Sequence, residues 1–182
     1  MIARKIEKDI CRFFSLEDRK ALLITGARQV GKTYIIEAVG KRLFQSFVTI
    51  NFLENRQATA LFDHASDSEA LLLRISALAD APLIPHETLI FLDEVQECKE
   101  IVTAIKFLVE EGSYRYILSG SLLGVDLKDI RSVPVGYMDI LEMFPLDMEE
   151  FAAANGVSSR IMEALAGAYS EKKLWMLLFM KR

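Results

Sequence analysis

A chain of 182 residues with 52% hydrophobic side chains has enough apolar material for one well-filled core, and its 26% charged fraction keeps it within the globular class. The net charge of −4 gives no sign of a broadly basic, nucleic-acid-binding surface, so a nucleic-acid partner is not supported. Arg4, Lys5 and Lys8, or Lys41 and Arg42, are the residues from which a local basic patch would have to be built. Only Cys11 and Cys98 are present, and "MIARKIEKDICRFF" does not read as a secretory leader. The expectation is therefore a cytoplasmic protein with reduced thiols. The seven apolar residues of "LWMLLFM" are too few to cross a bilayer as a helix, and no membrane partner is expected.

In chain order, Ile2, Ile6, Ile10 and Phe13 or Phe14 share one helical face among charged residues and predict an N-terminal helix beside the core. "KALLIT" reads as a buried strand closed by Gly26, and Tyr34, Ile35, Ala38 and Val39 predict a helix from Lys32 to about Leu43. "SFVTINFL" has strand composition. "DSEALLLRISALAD" predicts a helix with Asp67 or Ser68 near its N-cap, interrupted by the prolines of "APLIPH". "TLIFLDE" is an apolar strand ending in acids, and Ile101, Ala104, Ile105 and Leu108 predict a helix that stops at Gly112. "YRYILSGS" is a further strand, and "SVPVGYMDI" a short edge or terminal one introduced by a turn. Asp147 and Glu150 have capping-box spacing before a short helix ended by Asn155-Gly156, and "SSRIMEALAGAYSEKK" is weakly helical. Strands alternating with helices predict an α/β layer fold with a mostly parallel sheet. The expected boundaries are an N-terminal helical segment over residues 1–20, a core over 21–145 and a C-terminal helical segment over 146–182.

The stretch "GARQVGKT" fits the pattern G-x-x-x-x-G-K-[ST] through Gly26, Gly31, Lys32 and Thr33, between a predicted strand and a predicted helix. Glycines let the backbone curl its N–H groups toward phosphate oxygens, and the helix N-terminus adds unpaired donors and a favourable field. Candidate triphosphate contacts run through Gly26, Ala27, Arg28, Gln29, Val30, Gly31, Lys32, Thr33 and Tyr34. Lys32 is placed to reach the β- and γ-phosphates and the Thr33 hydroxyl to hold Mg²⁺. The competing explanation is a tight turn with no phosphate requirement.

Asp93 and Glu94 end an apolar strand at the edge where ligands gather in a parallel sheet. Asp93 is the candidate second Mg²⁺ residue, and Glu94 the candidate base that activates water. Their alternative role is to cap the next helix. Ser119 ends the following strand, with Ser121 close behind, and is a candidate to orient water or touch the γ-phosphate; a plain turn serine fits the same position. Gln96 is a candidate relay. An arginine supplied by another subunit often stabilises a transferring phosphoryl group; Arg131 is the first candidate and Arg115 a second. Cys98, His64 and His86 lack the close spacing of a zinc site. The acid pair favours ATP hydrolysis over a small-molecule kinase, and the lack of N-K-x-D argues against a GTPase. A nucleotide-gated interaction module without turnover is the non-enzymatic alternative.

With "LLITGARQVGKT", "NFLENR", "LIFLDEVQ", "IKFLVEEGSYRYILSGSLLG" and "SVPVGYMDILEMFPLDMEEF" in this order, the chain resembles the N-terminal ATPase core of bacterial and archaeal AAA-family proteins that carry a C-terminal domain of unknown function. The likeness covers roughly residues 10–156. It implies a P-loop NTPase three-layer sandwich, with ATP and Mg²⁺ bound by Gly26 to Thr33, Asp93 and Glu94 as the Mg²⁺ and hydrolysis acids, and Ser119 as sensor. It also implies self-association into a homo-oligomer. The stretch after "PLDMEEF" matches that family's continuation poorly, so residues 146–182 are expected to be the start of a second, truncated domain.

Overall fold

The computed structural model describes residues 3–16, 18–55, 58–59, 62, 67–121 and 136–170. By its internal contacts the chain divides into two compact units, one made from Met1–Lys5 with Leu146–Arg182 and the other from Ile6–Pro145.

The larger unit opens with α1 (Ile6–Ser15), whose Ile10 and Phe13 are buried as the helical spacing predicts. Strand β1 (Ala21–Gly26) leads to α2 (Lys32–Leu43), and β2 (Ser46–Asn51) leads to α3 (Ser68–Leu78). Asp67 caps α3, accepting a hydrogen bond from the Ala70 amide. Strand β3 (Thr88–Asp93) is followed by a 3₁₀ turn over Val95–Glu97 and then by α4 (Lys99–Glu111). That helix ends at Gly112, whose φ of 79° is the left-handed conformation a helix stop requires. Strands β4 (Arg115–Gly120) and β5 (Met138–Met143) complete the set. The last strand therefore begins within "SVPVGYMDI" and runs beyond it, beside β1 at one edge of the sheet.

All five strands are parallel, in the order β2-β3-β4-β1-β5. All six residues of β3 are buried, because helices cover both faces of the sheet at this central strand. On one face Leu22, Ile24, Leu89, Phe91 and Ile117 pack with Ile10 and Phe13 of α1 and Ile35, Ile36 and Val39 of α2. On the other, Leu23, Ile90, Leu92 and Leu118 pack with Leu71 and Ile75 of α3 and Ile101, Ile105 and Leu108 of α4. Alternating strand residues thus feed two separate apolar clusters. This is the three-layer α/β architecture of P-loop proteins, and its sheet aligns the C-terminal ends of β1, β3 and β4 along one edge.

In the smaller unit, α5 (Met148–Ala154) is opened by a capping box in which Asp147 and Glu150 exchange side-chain and backbone hydrogen bonds, and α6 (Ser159–Ser170) follows. Lys5 forms ion pairs with Asp147 at 2.6 Å and Glu149 at 2.5 Å, and Arg4 with Glu150 at 3.2 Å. Lys41 and Arg42 of α2 pair with Glu37 and Glu7, both at 2.7 Å or less. Four of the five basic residues named as patch candidates, Arg4, Lys5, Lys41 and Arg42, are therefore paired with nearby acids. No helix among the described residues is long and apolar enough to cross a membrane.

Candidate functional site

The loop between β1 and α2 is bounded by two glycines whose backbones other residues would not readily adopt. Gly26 has φ of 148°, and a β-carbon there would lie 2.2 Å from the Met143 carbonyl oxygen of β5. Gly31 has φ of 95° and occupies the N-cap position of α2, where a glycine offers no capping side chain. The first turn of α2 also lacks an acidic residue. By contrast, side chains cap α3 and α5. The first amides of α2 therefore keep their donors for an anion from outside the helix. Ala27, Arg28 and Gln29 are exposed along the loop, and Gln29 is itself left-handed at φ 64°. Val30 leans onto the apolar cluster beneath, while Tyr34 is exposed on the helix.

Lys32 is buried, and its ammonium donates to the carbonyls of Gly26 at 3.1 Å and Ala27 at 2.9 Å. It is thus curled over the loop that precedes it. Burial pulls this ammonium below its ordinary pKa, opposed by the negative charges of Glu94 and Asp93.

Opposite the loop, Asp93 collects hydrogen bonds from four places. One carboxylate oxygen accepts from the Thr33 hydroxyl of α2 at 3.2 Å and from the Asn51 side-chain amide of β2 at 3.2 Å. The other accepts from the Ser119 hydroxyl of β4 and from the Glu94 amide at 3.1 Å. The sheet order explains this convergence: β4 lies between β1 and β3, so its tip fills the space between the loop and the acid. Burial pushes the Asp93 carboxyl above the ordinary carboxylate range; the hydroxyl of Ser119 opposes this, the charge of Glu94 adds to it, and the hydroxyl of Thr33 opposes it.

Glu94 is half-buried and left-handed, with φ of 56°. A non-glycine residue in this region carries backbone strain of about 1–3 kcal/mol. Its carboxylate accepts from the Gln96 side-chain amide, whose oxygen in turn accepts from the Ser121 backbone at 3.2 Å. Neither acid caps the following helix: Glu94 heads the 3₁₀ turn without a side-chain capping bond, and Cys98 occupies the N-cap position of α4. The alternative role considered from sequence is therefore set aside.

The structure brings Lys32, Thr33, Asp93, Glu94 and Ser119 to one edge of the sheet, with Gln96 beside them. Ser119 is fully buried and its hydroxyl is directed at Asp93. Arg115 stands at the other end of β4, away from this group. Arg131, His64 and the "LWMLLFM" stretch lie outside the described residues. Reading the sequence does not single out Asn51: it ends β2 directly opposite Asp93 in the register of β2 with β3, and only that pairing reveals its role.

A family model described as an AAA domain matches residues 18–152. The chain belongs to the AAA domain family. That span takes in the loop, the acid pair and all five strands, and membership is consistent with nucleotide binding or hydrolysis in general. No curated protein matches the chain.

The donor set suits Mg²⁺. This small, hard cation is commonly held by one or two carboxylates, hydroxyl oxygens and substrate phosphates, and here a buried carboxylate lies in direct contact with the Thr33 hydroxyl. A cation at that point would also relieve the cost of keeping Asp93 charged in a buried setting.

Proposed function

We propose that the AAA domain binds ATP with Mg²⁺ and hydrolyses it to ADP and phosphate. One observation carries the reading: the Asp93 carboxylate is bonded at once to the helix that follows the phosphate loop and to the tip of the strand between them. In this reading the backbone of Gly26 to Gly31 cradles the phosphates, and Arg28, Gln29 and Tyr34 flank them. Lys32 exchanges its bonds to the Gly26 and Ala27 carbonyls for bonds to phosphate oxygens. Thr33 and Asp93 would hold Mg²⁺, which when bound would supply positive charge to the transferring phosphate.

Glu94 accepts a proton from water as the water oxygen attacks the γ-phosphorus, and the bond from that phosphorus to the departing ADP oxygen breaks. Ser119, having its hydroxyl on Asp93, acts by orienting that carboxylate. An arginine from a second copy, with Arg131 as the candidate, would complete the charge stabilisation in a homo-oligomer.

A gated variant of this reading is favoured by the bond between Glu94 and Gln96. While Gln96 occupies the carboxylate, the protein would hold nucleotide and present a bound state to a partner with little turnover.

The test is a stoichiometric ATP–Mg²⁺ binding isotherm and a phosphate-release assay, with oligomeric mass measured in parallel. Saturable binding that is lost in Lys32→Ala, together with phosphate release, is the expected result. Well-folded protein with no affinity for ATP–Mg²⁺ would overturn the proposal, and binding without release would select the gated variant.

A further inference from the structure

The chain crosses between its two units twice, at Lys5–Ile6 and at Pro145–Leu146. Residues 3–5 belong by their contacts to the smaller unit, although the next residue opens α1 of the larger one. What holds them there is Glu150, a buried carboxylate in the first turn of α5. It accepts from the Lys5 amide at 2.6 Å and from the Asp147 amide at 3.2 Å, and it pairs with the Arg4 guanidinium at 3.2 Å. Arg4 and Glu150 keep only 10% and 8% of their side-chain surface exposed, so neither charge is well solvated without the other. The Lys5 ammonium adds pairs to Asp147 and Glu149, but these side chains lie in solvent, where such pairs hold weakly. The fastening is therefore the buried pair and the amide bonds. A capping box needs only its own helix turn; here its glutamate also grips a segment 145 positions away.

Both crossings lead into the same apolar cluster of the larger unit. Ile6, the first residue beyond the N-terminal crossing, packs against the cluster that holds Ile10 and Phe13 of α1. Met143, at the end of β5 and shortly before Pro145, is buried in that cluster too. In the sheet register Met143 stands opposite Gly26, and its carbonyl oxygen is the atom that a β-carbon on Gly26 would meet at 2.2 Å. The cluster also contains Ile35, Ile36 and Val39 of α2, and Val30 of the phosphate loop packs against it. Side chains thus support the loop from α1 and α2, and backbone supports it from β5. Close-packed interiors pass a displacement on rather than absorb it.

We propose that Glu150 is a coupling joint: by fastening residues 3–5 to the α5 turn, it makes the smaller unit act on both crossings together and so links that unit to the phosphate loop. With the joint closed, a displacement of α5 reaches α1 and β5 at once, and through them α2 and Gly26. With it open, the two crossings move separately and α1 no longer follows α5. Such a linkage is reciprocal: a ligand that orders the loop also orders α5, and whatever engages the smaller unit changes the loop's affinity by the same factor. The ligand half of this coupling rests on the nucleotide reading of the loop, whereas the mechanical half does not.

The test is amide hydrogen exchange on the full chain, in wild type and in Arg4→Ala/Lys5→Ala, which opens the joint and leaves the capping box of Asp147 and Glu150 in place. Without nucleotide, the double variant should speed exchange at Ile10 of α1 and at the β5 amides by about fivefold or more, with Ile105 of α4 unchanged. The β5 response decides, because β5 contains neither substituted residue and leads to the other crossing; a merely local role would move α1 alone. With saturating ATP–Mg²⁺, wild type should show slower exchange at Phe151 and Asn155, whose amides close the turns of α5, by a similar factor. The double variant should lack that slowing while Gly31 is protected in both proteins. Glu150→Gln serves as a second variant, keeping the shape and one acceptor oxygen, and should give the same pattern at smaller amplitude. The proposal is overturned by unchanged β5 exchange in both folded variants or by equal speeding at Ile105. It is also overturned if ATP–Mg²⁺ protects Gly31 without slowing α5, or slows α5 as much in the double variant as in wild type. Absence of protection at Gly31 counts against the nucleotide reading instead, and the nucleotide-free comparison then decides the joint alone.

Discussion

Replacing Asn51 by alanine tests whether the acid cluster is held from the β2 side as well as from α2 and β4. Asn51 makes three hydrogen bonds: its amide donates to Asp93 at 3.2 Å, and its oxygen accepts from the Leu53 amide at 2.9 Å and the Glu54 amide at 3.1 Å. Leu53 and Glu54 are exposed, so water can replace the asparagine oxygen there at a loss of about 0.5 kcal/mol each. The bond to buried, charged Asp93 is of the stronger kind, contributing about 1.5–3 kcal/mol. Together these give about 2.5–4 kcal/mol of lost stability, or a fall in Tm of roughly 5–15 °C for a chain of this size. Urea unfolding of wild type, Asn51→Ala, Asp93→Ala and the double variant isolates the shared term. A coupling of about 1.5–3 kcal/mol is expected. A coupling below about 0.5 kcal/mol would refute the reasoning, because Asn51 would then be a turn residue with no hold on Asp93.

Three further outcomes follow from the same cluster. Glu94→Gln should leave ATP binding near wild type and lower phosphate release by about 100-fold, as expected for loss of a general base; equal release would reject Glu94 in that role. Gly26→Ala should lower Tm and nucleotide affinity together, since its β-carbon would meet the Met143 carbonyl at 2.2 Å and its φ is 148°; a variant of unchanged Tm would contradict the geometry. The pH dependence has a definite sign. Because burial raises the Asp93 carboxyl in the folded state, the native protein binds that proton more tightly than the unfolded chain does. Its contribution is therefore greatest below the ordinary aspartate value and is lost as pH rises through the raised one. Relative to Asp93→Asn, wild-type stability should fall across that interval in metal-free buffer and then level off, and a rise across it in paired urea titrations would show the opposite shift.

Much of the core could be read directly, because its strands are apolar runs that end abruptly in glycine or acid. "KALLIT" and "TLIFLDE" carry that signal within a few residues, and α2 begins at Lys32 because the loop places its glycine immediately before. The capping box of Asp147 and Glu150 was equally local. Pairing was not. Nothing in a single strand states that β4 runs between β1 and β3, and that order is what turns Ser119 from a turn serine into a partner of Asp93. Asn51 was hidden for the same reason, since its partner is 42 positions away. Glu94 was visible as a residue type, whereas its left-handed backbone was not, because non-glycine residues seldom adopt it.

The sheet also works as a partition. Its two faces feed apolar clusters that share strand backbones and no buried side chain. Losses at Ile35 on one side and Ile105 on the other should therefore add, as distant substitutions do. The acid cluster lies along the seam of this partition: Lys32 and Thr33 belong to the helix of one face, while Asp93 and Gln96 lead into the helix of the other. A ligand clasped between them would tie together two halves that otherwise soften separately.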